Sequence, residues 1–281
     1  MRASSRICNP AAFTALTEIG CNQINWAQPH PDSNVMTTNQ NQLHPVSPLI
    51  NLWDIITAPS LALRRVSSIQ TRSWWLPALL AFATPVLYVG ATLDMQVAQA
   101  KKAVAQQLST MPPDQVETTR SLVERMIQPS AILLTTVGTS LLALLLAWAF
   151  AMLILYFGIA LLGTPVRANG LWAAVVWTWV PLALRPLVQL AWSLLSGHLL
   201  TYQGLAYFVA SGDIAQDSKN PLFLAAAQID PFNLWHLALI YLLLRVVGRL
   251  SRLSSVGVTI FYALIMGGIH VIPAFTARMI G

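Results

Sequence analysis

Residues 130–162 read SAILLTTVGTSLLALLLAWAFAMLILYFGIALL, without one Asp, Glu, Lys or Arg. No other feature of the chain restricts its fold so strongly. A helix crossing a hydrocarbon core of about 30 Å needs about 20 mostly apolar residues. In lipid, only helices and closed barrels satisfy every backbone hydrogen bond. Four further segments qualify as helical spans: 73–93, 170–196, 231–248 and 256–277. The run at 130–162 exceeds one bilayer thickness, so it must tilt or protrude. The expectation is an all-α, polytopic membrane helical bundle with five transmembrane helices. Composition agrees: only 9% of residues are charged, against about 25% in a soluble domain. Much of this surface does not meet water.

The net charge of +6 does not indicate nucleic acid, because the basic residues are thinly spread and form no aromatic–basic patch. They read instead as topology signals. Arg64, Arg65 and Arg72 precede the first span, Arg167 lies between the second and third, and Arg245, Arg249 and Arg252 lie between the fourth and fifth. The connections 94–129 and 197–230 together hold five basic and seven acidic residues. The N-terminus is therefore expected in the cytoplasm and the C-terminus outside, with Arg278 alone pointing the other way. The expected location is a cell inner or plasma membrane.

Residues 1–48 differ in kind. They are rich in Asn, Gln, Pro, Ser and Thr and hold both cysteines, Cys8 and Cys21. "AAFTAL" is too short for the apolar core of a signal peptide. A disordered tail is expected here, with Met36 an alternative start that would leave part of it untranslated, and a membrane domain over 49–281. The absence of cysteine beyond residue 21 excludes disulfides and Cys-ligated metal from that domain.

Between tail and first span, Trp53, Ile56, Leu61, Leu63 and Val66 mix with Arg64 and Arg65, and Trp74 and Trp75 mark the interface. This pattern predicts a helix lying on the membrane surface. In the outer connection, Val97, Val104, Leu108 and Met111 repeat at helical spacing, as do Val116, Val123 and Ile127. Pro112 and Pro113 divide the two runs, and Asp114 to Glu117 has the form of a capping box, so a helical hairpin is expected. At "QIDPFNLWHLAL", Asp230 suits a helix N-cap and Pro231 its first turn, and Phe232 and Trp235, three apart, share a face.

These stretches resemble the Yip domain family of Ypt/Rab-interacting membrane proteins. "ITAPSLALRRV…SWWLPALLAF" is similar to the family's entry segment, and "LLGTPVRANGLWAAVVWTWVPL" to its second cytoplasmic turn and the Pro-containing span after it. "QIDPFNLWHLALIYLLLRVVGRLSR" resembles the Asp–x–Phe–x–x–Trp entry to the fourth span, with Asp230, Phe232 and Trp235 at the motif positions. The resemblance covers residues 48 to 278. It implies a prokaryotic-type, five-span membrane protein with a cytoplasmic N-terminus. For eukaryotic members it implies organisation of membrane traffic through prenylated Rab GTPases.

No phosphate-binding G-x-x-x-x-G-K-[ST], no H-E-x-x-H and no G-x-S-x-G occurs, Glu is absent beyond residue 124, and no span holds paired carboxylates. No enzyme, cofactor or metal is expected. Ionisable residues inside a span are functional candidates by default. At 1.5 Å per residue, Arg185, His236 and His270 all fall about 21 Å from the cytoplasmic side, with Asp230 and His198 above them. One reading is a polar pocket for a lipid head group, ion or small anion, which in its strictest form makes His198, His236 and His270 a metal site. The other has each residue snorkel or bond a backbone carbonyl separately. Gly267 and Gly268 suit close helix packing. The expected function is a non-enzymatic scaffold or partner-binding protein whose Arg64 and Arg65 meet anionic lipid or a membrane-associated protein. The alternative is a lipid or small-molecule transporter using the polar layer.

Overall fold

The computed structural model describes residues 47–68, 74–109, 111–163 and 165–280, and every regular element among them is a helix. The tail expected over 1–48 lies outside these residues except for its last two, as does Arg72. Proline opens many of the helices. Pro48, Pro59, Pro113, Pro129, Pro221 and Pro231 each occupy a first helical position, where the missing N–H would go unpaired in any case.

Two short helices come first, α1 (Pro48–Thr57) and α2 (Pro59–Val66), so the expected surface helix is broken at Ala58, the residue before a proline. Next come α3 (Trp75–Ala91), α4 (Leu93–Ser109), α5 (Pro113–Met126) and α6 (Pro129–Leu161). The third span is α7 (Ala168–Trp177) followed by α8 (Val180–Ser196). Three short helices, α9 (Ala206–Val209), α10 (Ile214–Asp217) and α11 (Pro221–Ala227), lead to α12 (Pro231–Val246) and α13 (Arg252–Ile280).

Among the described residues three helices are long and apolar enough to cross a membrane alone: α6, the combined α7–α8 and α13 over Arg252–Ile272. The pairs α3–α4 and α11–α12 qualify only as broken spans bent by 67° and 65°, which makes up to five. α3 and α12, with 17 and 16 residues, each rise about 25 Å. Their bends thus fall near the hydrocarbon boundary.

α4 and α5 form the expected hairpin. α5 starts at Pro113 with Pro112 as N-cap, so Asp114 does not occupy the N-cap position that the capping box assigned to it. The paired prolines set the start one residue ahead of Asp114, which is left inside the first turn.

The core gathers at one end of the bundle. α2 packs on α7 and α12, and its Leu63 and Val66 share a buried cluster with Leu155, Leu171, Trp177, Leu243 and Leu244. A side chain at Gly170 would put its Cβ 2.4 Å from the carbonyl oxygen of Ser67, so only glycine lets α7 approach this closely. α6 buries Trp148, Ala151, Leu155 and Ile159, all in its second half. Gly158 faces Val258 of α13, where a Cβ would come within 2.9 Å. Gly267 and Gly268, expected at a helix contact, have nothing within 4 Å of a built Cβ. The close approach between α6 and α13 is at Gly158 instead. The α12–α13 turn places Arg249 at φ 52°, and the Arg245 guanidinium donates to the Leu250 carbonyl and holds the turn closed.

Candidate functional site

Asp230 begins the site. Its extended backbone (φ −134°, ψ 162°) ends the connection from α11, and its Oδ1 accepts from the N–H groups of Phe232 and Asn233 at 2.8 and 3.1 Å. This is the N-cap read from the sequence. The other carboxylate oxygen does more: Oδ2 accepts from Nη2 of Arg185 on α8 at 2.6 Å. Asp230 is 5% exposed and Arg185 26%. The acid at the start of α12 therefore neutralises the arginine in the middle of α7–α8. Gly204 (φ 57°) lies against this cap, and Leu205 N–H donates to the Ile229 carbonyl. The outer connection is thereby tied to the same point.

His236 is one helical turn and a half further along α12 and is buried. Its Nδ1 lies 2.7 Å from the Thr178 carbonyl oxygen and its Nε2 2.8 Å from the Tyr262 hydroxyl. A carbonyl only accepts, so Nδ1 carries the hydrogen. In the neutral ring Nε2 is then an acceptor, and the Tyr262 hydroxyl donates to it. The Thr178 carbonyl sits at the junction of α7 and α8, just ahead of Pro181, which has no N–H to continue the helical ladder. One imidazole thus joins the end of α7, α12 and α13 at a break in the third span. Trp179 meets its ring edge-on with centroids 5.3 Å apart, and Trp148 meets Trp179 in the same manner at 6.3 Å.

Arg185, His236 and His270 do not form one open pocket. Arg185 donates to Asp230, and His236 is paired on both nitrogens. His270 is exposed and lines a cavity of about 520 Å³ between α3, α6, α8 and α13. His198 is exposed beyond the end of α8. Among the described residues no three His, Cys, Asp or Glu side chains are placed to hold a metal ion. Phe232 and Trp235 are half-buried, and Trp235 packs against the main core.

Tyr262, the Thr178 carbonyl and Trp179 were not singled out by the sequence. Pro181 was the available signal, since a proline inside a span frees backbone groups that need partners.

Near the first span, Arg65 pairs with Asp54 across α1 and α2, whereas Arg64 points outward. The two arginines grouped by the sequence thus have different surroundings.

The fold and this paired polar layer define a class: an all-α, multi-pass membrane protein whose intramembrane charges are tied between helices. The Yip1 domain model matches residues 53–272, and the chain belongs to the Yip1 domain family. No curated protein and no solved structure matches it.

Proposed function

We propose that this protein is a non-enzymatic membrane scaffold that presents α1 and α2 to a partner at the cytoplasmic face. The observation that carries the reading is the outward apolar face of α1, opposite the buried Asn51 and Ile55. Leu49, Ile50, Trp53 and Ile56 point outward, with Trp53 65% exposed, whereas Asn51 is buried with neither amide atom hydrogen-bonded. A face of that composition does not rest in water. It suits the membrane interface or the apolar patch of a protein held there, with Arg64 beside it to meet anionic groups. Arg65 supports the platform from within through Asp54.

The paired polar layer also favours a scaffold over a transporter. Arg185 and Asp230 neutralise each other and His236 holds three helices together, so these groups act as ties. The basic residues of the connections put α1, Arg167 and the α12–α13 turn on the cytoplasmic side.

The test is cross-linking in intact membranes followed by tagged purification. A protein recovered in near-equal amount from wild type, and lost with Arg64→Gln or Trp53→Ser while the bundle keeps its thermal stability, is the expected result. Recovery that ignores both substitutions would overturn the reading. Orientation is checked with Cys8 and Cys21 replaced and a single cysteine placed at Arg167 or Gly212. A membrane-impermeant maleimide added to intact cells should label only the second.

A further inference from the structure

We propose that the cavity between α3, α6, α8 and α13 holds one acyl chain of a bilayer glycerophospholipid as a fixed part of the protein. The cavity is about 520 Å³, within the range of about 300–1,000 Å³ of small-molecule sites. Phe82, Ala147, Phe150, Trp179 and Met266 wall it, and His270 and Ser140 are the polar side chains among its lining residues. Walls this apolar do not hold water, since a buried water needs two to four polar partners.

The depth of the cavity selects the occupant. Its lining residues lie near the middle of helices that cross the membrane, where the surrounding medium is acyl chain. α6 and α13 meet at Gly158 and Val258, further toward the packed end of the bundle. The α6 residues that line the cavity fall in the stretch 140–150, before the helix turns its Leu155 and Ile159 into the core. Small side chains at Ala81, Ala143, Ala147 and Ala183 leave the space, and no protein side chain fills it. His270 adds one polar group to a wall that otherwise suits hydrocarbon.

The occupant is a resident lipid rather than cargo, so the inference is independent of the scaffold reading and involves neither α1 nor Arg64. The experiment uses the full chain in phosphatidylcholine vesicles containing a trace of phosphatidylcholine with a diazirine near the end of one acyl chain. After illumination, labelled residues are mapped by mass spectrometry. Phe82, Ala147 and Met266 should be labelled several-fold more than Leu142, Leu145 and Leu153, which face the bulk lipid. Ala147→Trp should return cavity labelling to the level of the bulk-facing positions without loss of thermal stability, and so should Ala143→Phe at the cavity edge. Leu142→Trp should change nothing. Equal labelling of cavity and outward positions in the wild type, or cavity labelling that survives both filling substitutions in folded protein, would overturn the proposal. Displacement of the label by free fatty acid at trace concentration would overturn the assignment to a phospholipid.

Discussion

The two ends of this bundle are built from the same kind of sequence and pack in opposite ways. At the end holding α1, α2 and the basic turns, Leu155, Ile159, Leu171, Leu243 and Leu244 are fully buried. At the other end, the first half of α6 buries nothing, and Leu134, Leu142 and Leu145 are exposed. A leucine in α6 therefore has one of two fates, although its neighbours in sequence look alike. Where α6, α7 and α12 meet over α2, side chains interdigitate, and along the first half of α6 none does so enough to be buried. Apolarity alone holds nothing together in a membrane, because lipid tails are as apolar as Leu.

The largest break in this contrast should come from Asp230→Leu, which removes the counter-charge of Arg185 and the N-cap of α12 together. Loss of a buried ion-pair partner costs about 3–5 kcal/mol and loss of a cap about 1 kcal/mol. Arg185 is a quarter exposed, so a total of about 3 kcal/mol is expected in reversible denaturation of the purified protein. Asp230→Asn keeps the cap and should lose less. Combining either with Arg185→Leu should recover part of the loss, and simple additivity in that double-mutant cycle would show that the pair is not a tie.

A smaller effect is expected from Leu155→Ala at the packed end, about 2 kcal/mol, the low end for a core truncation because the lipid transfer term is absent. Leu142→Ala, 13 residues earlier on the same helix, should stay within about 0.5 kcal/mol. Equal losses at the two positions would remove the distinction between the ends. Gly170→Ala must push α7 off the Ser67 carbonyl and should lose about 1–3 kcal/mol. Gly267→Ala, with open space around it, should be neutral or stabilise by up to about 1 kcal/mol through helix propensity. Tyr262→Phe should lose about 1 kcal/mol, from one intramembrane hydrogen bond to His236. Thermal unfolding that fails to separate Tyr262→Phe from wild type would reduce that bond to incidental contact.

The sequence by itself determined the membrane class, the segments that become helices and several of their starts. Spans follow from length and apolarity, and Asp230–Pro231 caps α12 through atoms within three residues of each other. The hairpin of α4 and α5 was readable from two runs at helical spacing divided by prolines. The capping box at Asp114 was misplaced because a neighbouring proline started the helix first. The tertiary structure alone decided which faces meet. A helix that is apolar all round carries no mark of its inward side, so nothing in residues 130–162 announced that only the second half would be buried. Equal depth likewise put Arg185, His236 and His270 in one layer, the basis for reading them as one site. Depth follows from counting residues along a helix, but direction follows from how each helix is rotated against its neighbours. That rotation gave Arg185 to Asp230, 45 residues away, gave His236 to Thr178 and Tyr262, and left His270 facing a cavity.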